Sequence, residues 1–123
     1  MKTLLIKLPI NPEDRNDFDQ IMQPYGLATI SSYLKSQGCD VTLFDAQAHQ
    51  LLRKKILEYI KKLKPDIIGF SAMTCNLAVI ISFLPTIRQF LPETTFVLGG
   101  PHVTAEPVST LKSYSDVDIV VLG

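Results

Sequence analysis

The chain lacks the features that mark secreted, membrane-spanning or nucleic-acid-binding proteins. Its two cysteines, Cys39 and Cys75, lie far apart and without metal-ligand spacing, which is typical of a protein of the reducing cytoplasm. The formal net charge is zero and no basic run exceeds residues 53–55, so the electrostatic footprint for nucleic acid is missing. No apolar stretch approaches the roughly 20 residues of a membrane span. With 46% hydrophobic residues, the composition indicates a globular domain with neither nucleic acid nor a membrane as its partner.

The loop after the first predicted strand also lacks the signatures of several common ligand sites. It reads Leu8-Pro9-Ile10-Asn11-Pro12, without the glycine-rich turn of a dinucleotide site or a P-loop. The prolines exclude the phosphate loop of a flavodoxin. A receiver domain is excluded too, because Ser71 stands where its phosphoacceptor aspartate would follow strand three. No Ser-His-Asp or Cys-His nucleophile can be argued from spacing.

Five short apolar runs alternate with helical patterns along the chain. The runs cover residues 3–8, 40–44, 66–71, 95–98 and 118–122, and most are continuously apolar, as in strands buried on both faces of a parallel sheet. Helical periodicity predicts helices over 24–38, 50–63, 76–91 and 105–113. This alternation predicts a doubly wound, five-stranded parallel sheet in the flavodoxin-like (Rossmann-like) order 2-1-3-4-5, in a three-layer α/β/α domain.

The connection between the first strand and the first helix is abnormally long. About fifteen residues separate Leu8 from Pro24, where such loops normally have about 2–6. The loop carries acidic side chains at positions 13, 14, 17 and 19, and it opens at the switch point of the predicted sheet, where ligands bind. We expect a functional loop whose residues 11–19, with Phe18 as their only apolar anchor, are poorly ordered without a ligand.

Two adjacent predicted strands end in small and polar residues. Strand three runs into Ser71-Ala72-Met73-Thr74, and strand four runs into Gly99-Gly100-Pro101-His102. Because glycines carry no Cβ, the pair lets a ligand approach the backbone closely at the strand end where parallel sheets bind ligands. The alternative is a tight turn that needs positive φ. Likewise the Ser71 hydroxyl can bond either a ligand or a local backbone group. These eight residues are the candidate cofactor-binding residues.

Several segments form an ordered pattern along the chain. They read Pro24-Tyr25-Gly26-Leu27-Ala28, Asp45-Ala46, Lys64-Pro65-Asp66-Ile67-Ile68-Gly69-Phe70-Ser71, Gly99-Gly100-Pro101-His102 and Asp116-Val117-Asp118-Ile119-Val120-Val121-Leu122-Gly123. This set, which covers almost the whole chain, resembles the amino-terminal cobalamin (vitamin B12)-binding domain of cobalamin-dependent radical S-adenosylmethionine enzymes. In that family a radical S-adenosylmethionine domain follows directly. The resemblance therefore implies that residues 1–123 are a cobalamin-binding domain, with such a domain as the partner expected after residue 123.

The resemblance also implies a base-off cobalamin whose nucleotide tail inserts between the sheet and the flanking helices. In the wider cobalamin-domain pattern, a serine two positions before a leucine follows strand three and a glycine pair follows strand four. Ser71-Ala72-Met73 matches the serine element, although methionine stands where the pattern has leucine. Gly99-Gly100 matches the glycine pair. The pattern's Asp-x-His-x-x-Gly, whose histidine ligates cobalt, has no counterpart after strand one, so this loop is not expected to ligate cobalt.

Neither histidine is predicted to be a metal ligand. A histidine at position 102 can bond a backbone carbonyl, and His49 is expected to be solvated near the start of the second helix. The family's parent enzymes also use a 4Fe-4S cluster and S-adenosylmethionine. The three close cysteines of such a cluster are missing from this chain, and Cys75 is expected to be a small buried filler.

Two functions remain open at this point. In the first, the chain is a non-catalytic module that holds cobalamin for a larger radical enzyme acting on a small-molecule substrate. That enzyme would be a methyltransferase or an oxidative cyclase of the Mg-protoporphyrin monomethyl ester type. In the second, the chain is a Rossmann-like interaction domain whose glycine pair is only a turn.

Overall fold

The computed structural model describes residues 1–14 and 23–123, and strands and helices alternate along them. The elements are β1 (Lys2–Lys7), α1 (Tyr25–Ser36), β2 (Asp40–Asp45), α2 (Arg53–Leu63), β3 (Ile67–Ser71), α3 (Leu77–Phe90), β4 (Thr95–Gly99), α4 (Pro101–Ala105), α5 (Pro107–Ser113) and β5 (Ile119–Val120). The helix predicted over 105–113 is observed as α5, and the short helix α4, which was not predicted, precedes it. Pro107 begins α5, because proline has no N–H with which to continue the helix before it. Within the two described ranges, no helix is long and apolar enough to cross a membrane.

The five strands form one all-parallel sheet in the order β2-β1-β3-β4-β5, which confirms the predicted topology. β1 lies between β2 and β3, so the switch point of the sheet is at the carboxyl ends of β1 and β3. Leu5 of β1 is level with Gly69 of β3, and Ser71 of β3 is level with Gly99 of β4. Leu8, which follows β1, therefore shares one edge of the sheet with Ser71 and Gly99, as expected.

The main hydrophobic core lies between the sheet and the two helices α2 and α3. Alternate side chains of the three central strands point into it and are at most 2% exposed: Leu4, Ile6, Ile68, Phe70, Phe96 and Leu98. The helices contribute residues of the same core cluster, among them Ile56, Ile60, Phe83, Leu84 and Ile87. Full burial of one such side chain contributes about 1.5–3 kcal/mol, so this face supplies most of the hydrophobic stabilisation of the domain.

The opposite face of the sheet is covered only in part. A small core joins Leu5 of β1 and Val41 of β2 to Leu27 of α1. Ile30, which the helical pattern predicts to face inward with Leu27, is 49% exposed. α1 packs mainly on β2 and also contacts β1 and β3. Among the described residues it leaves space above β3 and β4, and a cavity that Ile30 helps to line results.

Polar contacts attach the short β5 to the sheet. Phe96 N donates to Asp118 Oδ2 at 2.8 Å, and Arg88 Nη2 donates to the same oxygen at 3.0 Å. The Arg88 guanidinium also lies 4.4 Å from the centroid of the Phe96 ring. These contacts hold the start of β5 beside β4, so that Val121 lies next to Gly99.

Arg53 ties the described part of the long β1–α1 connection to the helices. Its backbone N–H donates to Pro12 O at 3.0 Å, and its side chain forms an ion pair with Glu13 and donates to Ser82 Oγ at 3.0 Å. Residues 15–19 of the segment predicted to be poorly ordered lie outside the described residues.

His49 and Tyr59 both stack on Phe44, with ring centroids 5.1 Å and 4.0 Å from that ring. His49 is exposed, as expected, and lies shortly before α2. Burial raises the pKa of the Tyr59 phenol, and the ring contributes an aromatic surface beside Phe44.

Candidate functional site

The carboxyl ends of β3 and β4 are joined by backbone hydrogen bonds that continue beyond the strands. Ala72 N donates to Gly99 O at 2.7 Å, and His102 N donates to Ala72 O at 3.0 Å. The loop after β3 and the start of α4 are therefore held side by side. This arrangement brings the two sequence-predicted segments, 71–74 and 99–102, to one place at the edge of the sheet.

Gly100 makes the turn between β4 and α4. Its φ is +99°, a region that side chains with a Cβ rarely adopt. A Cβ at this position would also lie 2.8 Å from the backbone nitrogen and oxygen of Ala72. The backbone at position 100 thus requires glycine. For Gly100, this supports the alternative in which the glycine pair forms a tight turn.

Gly99 has a different environment. Its φ lies outside the positive range that favours glycine. A Cβ added to Gly99 would meet only Val121 O, at the ordinary van der Waals distance of 3.8 Å. The space in front of Gly99 belongs to the cavity. The backbone does not require glycine here, so its bare surface is available to a ligand.

The β3–α3 loop is closed by the side chain of Asn76. Met73 N donates to Asn76 Oδ1 at 2.7 Å, and Asn76 Nδ2 donates to Ser71 O at 3.2 Å. These bonds fix the backbone of residues 71–76 and leave the side chains of Met73 and Thr74 exposed. Cys75 in the same loop is exposed rather than a buried filler, because the loop stands above the sheet edge.

Thr74 and His102 connect the two loops through their side chains. The Thr74 hydroxyl and His102 Nδ1 are joined by a hydrogen bond of 3.1 Å. Through Nδ1, His102 thus bonds a side-chain hydroxyl and not a backbone carbonyl. Within residues 1–14 and 23–123, no three His, Cys, Asp or Glu side chains cluster closely enough to hold a metal ion.

A cavity of about 870 Å³ runs along the open face of the sheet from this edge. Its floor is formed by β1, β3 and β4, and α1 forms one wall. Its lining is mostly apolar and includes glycine on three of these elements: Gly69 on β3, Gly99 on β4 and Gly26 on α1. Pockets that hold drug-sized ligands have volumes of about 300–1,000 Å³, so a group of nucleotide size fits this space.

The sequence-predicted residues do not all take the same place in the structure. Ser71, Gly99 and Gly100 line the cavity. Met73 and Thr74 in the β3–α3 loop and Pro101 and His102 at the start of α4 form its rim, whereas Ala72 is buried in the main core.

The cavity also has lining residues that sequence reasoning does not select, among them Leu5, Gly26, Leu27, Ile30, Gly69 and Val97. Alternation along a strand is the signal that could have found Gly69 and Val97, because each lies two residues before a selected residue and so faces the same way. The lining residues on α1 cannot be identified from such alternation, because they depend on how that helix packs on the sheet.

Comparisons with known proteins agree on one family. A family model described as "B12 binding domain" matches residues 15–123. The chain is 31% identical over its full 123 residues to an uncharacterized methyltransferase of Pyrococcus horikoshii, and it spans 27% of that protein. No solved structure matches it at a significant level.

Two further relatives have named activities. An anaerobic magnesium-protoporphyrin IX monomethyl ester cyclase of Rubrivivax gelatinosus is 34% identical over 101 residues, which are 81% of this chain and 18% of that protein. A cytidylyl-2-hydroxyethylphosphonate methyltransferase of Streptomyces wedmorensis is 27% identical over 127 aligned positions, covering 89% of this chain and 24% of that protein. The chain thus spans less than a third of the length of these relatives.

Proposed function

This chain belongs to the B12-binding domain family, and on that premise we propose that it holds cobalamin in the base-off form. In this arrangement the nucleotide tail lies in the cavity beside α1. The observation that carries the proposal is Gly99, a glycine without positive φ whose bare backbone faces the cavity at the ligand-binding edge of the sheet.

The cavity fits the tail rather than the whole cofactor. Its volume of about 870 Å³ suits a nucleotide, whereas the corrin ring has to lie outside, against the rim formed by the two loops. Gly26 and Gly99 leave room on the wall and on the floor, whereas the space above Gly69 is filled by the end of the Leu5 side chain. An added Cβ would point into open space at Gly26 and would collide with Leu5 Cδ2 at Gly69.

The residues of the rim would position the corrin ring. Met73 and Thr74 are exposed at the edge, and the Thr74–His102 hydrogen bond holds the loop that carries them beside the start of α4. We assign no cobalt ligand to the chain, because the loop after β1, where the wider cobalamin-domain pattern places its cobalt-ligating histidine, contains no histidine. Bound cobalamin supplies methyl-transfer, electron-transfer or radical chemistry, and the domain supplies its position and surroundings.

We further propose that the domain serves a larger enzyme. Relatives that include methyltransferases and a cyclase, each much longer than this chain, support that proposal. The expected partner is a radical S-adenosylmethionine domain with a 4Fe-4S cluster, acting on a small-molecule substrate by methylation or oxidative cyclisation. Both cysteines of the chain are unpaired and exposed, as the cytoplasm permits, and this is the compartment we propose.

A cobalamin titration of the purified protein, followed by visible absorption, tests the proposal. We expect saturable binding with the spectrum of base-off cobalamin. Gly99→Val fills the mouth of the cavity and should weaken binding by about tenfold or more. Ala48→Val, which adds the same side chain at an exposed position away from the cavity, is the matched control and should leave affinity unchanged. Absence of any binding by the parent protein would instead favour the interaction-domain alternative.

A further inference from the structure

The cavity beside α1 is layered, because alternate residues of parallel strands face it in register. Ser71 and Gly99 form the layer at the mouth. Leu5, Gly69 and Val97 are level with one another and form the middle layer, and Thr3 and Ile67 form the far layer. Successive layers are two residues apart, or about 7 Å.

The middle layer is apolar throughout. Leu5 and Val97 stand on either side of Gly69, and the end of the Leu5 side chain leans over that glycine, since a Cβ there would lie 2.7 Å from Leu5 Cδ2. On the α1 side the wall is formed by Leu27 and Ile30. The lining residues of this layer present no side-chain nitrogen or oxygen within the described part of the chain.

Polar side chains of the lining lie instead at the two ends of the cavity. Ser71 stands at the mouth, and Thr3 and Asp40 stand at the far end. A flat group seated in the middle layer would therefore be surrounded by apolar side chains, with the end of Leu5 between it and the Gly69 backbone.

From this layering we propose that the chain selects its corrinoid by the base at the end of the nucleotide tail. It accepts an apolar aromatic base and disfavours one that carries an exocyclic amine. Leu5, Ile30 and Val97 are the residues that determine this specificity. The inference rests on the function proposed above and extends it by naming the class of corrinoid.

The physical reason is desolvation. In a base-off corrinoid the base is the free end of the tail, so it is the part that enters the cavity most deeply. An apolar base gains from burial against Leu5, Ile30 and Val97. An amine at the same depth loses its hydrogen bonds to water and finds no partner in the middle layer, which opposes binding.

Corrinoids that share one corrin ring and differ only in the base test this inference. The probes are those bearing dimethylbenzimidazole, p-cresol and adenine, each titrated against the protein and followed by visible absorption. We expect the first two to bind within about threefold of each other and the adenine form to bind about tenfold or more weaker. Equal affinity for all three would overturn the inference and leave the proposed function intact. Failure of all three to bind would overturn the proposed function itself.

A variant checks that the middle layer is responsible. Val97→Thr keeps the β-branched shape and adds one hydroxyl there, so it should reduce the difference between the adenine and dimethylbenzimidazole forms by about fivefold. Val108→Thr makes the same change on α5 at a position that is 60% exposed and outside the cavity, and it should leave the difference unaltered. The thermal melt shows whether Val97→Thr is folded. If the folded variant keeps the full affinity difference between the adenine and dimethylbenzimidazole forms, the assignment of this layer is contradicted.

Discussion

Gly100 packs so closely on Ala72 that a Cβ on the glycine would lie 2.8 Å from the backbone of the alanine. The neighbouring Gly99 has no such contact and faces the cavity instead. The two glycines of one motif thus have separate roles. Gly100 shapes the chain, and Gly99 leaves space beside the sheet. Substitutions at the two positions can therefore distinguish a loss of folding stability from a loss of cobalamin binding.

Replacing Gly100 with alanine should destabilise the domain. A non-glycine residue in this backbone region costs about 1–3 kcal/mol, and the contact with Ala72 adds to that cost, so we expect a loss of about 2 kcal/mol or more. Urea denaturation measures it. A variant as stable as the parent would show that the turn relaxes without glycine.

Replacing Gly99 with alanine should give the opposite pattern. The added methyl meets only Val121 O at 3.8 Å, so the free energy of unfolding should stay within about 1 kcal/mol of the parent value. Cobalamin affinity should fall, because a buried group cannot shift aside in a packed cleft. Thermal melting and cobalamin titration of the same preparation report both quantities. Undiminished affinity would remove Gly99 from the site.

Gly26 allows a test in which stability and binding change in opposite directions. It lies in the first turn of α1 with no atom within 4 Å of an added Cβ, and it lines the cavity. Gly26→Ala should stabilise the helix by about 0.5–1 kcal/mol, because alanine loses less backbone entropy than glycine on folding. The same methyl should weaken cobalamin binding. A more stable variant with undiminished affinity would show that the tail does not pass α1.

His102 should not ligate cobalt. Electron paramagnetic resonance of the protein with Co(II) cobalamin should show no splitting from a protein nitrogen, because the loop after β1, where the wider pattern has its cobalt-ligating histidine, contains none. His102→Ala should leave that spectrum unchanged and should cost less than about 1.5 kcal/mol of stability, the ordinary worth of one hydrogen bond. Nitrogen splitting in the parent protein that disappears in His102→Ala would contradict this assignment.

The architecture could be predicted from the sequence because its signals are local and repeated. Continuous apolar runs indicate buried parallel strands, and helical periods between them imply right-handed crossovers, which together lead to the order confirmed here. The ends of elements are less predictable. β5 is assigned only at Ile119–Val120, although Val121 N still donates to Leu98 O at 2.9 Å.

The candidate site could be predicted in part. The strand ends at Ser71 and Gly99 follow from the position of small residues after apolar runs, and the structure brings them level with each other. The sequence alone does not separate the roles of Gly99 and Gly100, because φ and the distance to Ala72 depend on how two loops pack. The contribution of Ile30 to the cavity wall could not be predicted for a similar reason, since helical periodicity does not show how far a helix extends over the sheet.

The most direct test of the account compares cobalamin with cobinamide, which has the corrin ring but no nucleotide tail. If the tail lies in the cavity beside α1, its burial contributes to affinity, and the protein should bind cobalamin about tenfold or more tightly than cobinamide. In Gly99→Val this preference should shrink, because the cavity mouth is filled. Equal affinity of the parent protein for the two corrinoids would contradict the account, since the cavity would then contribute nothing to binding.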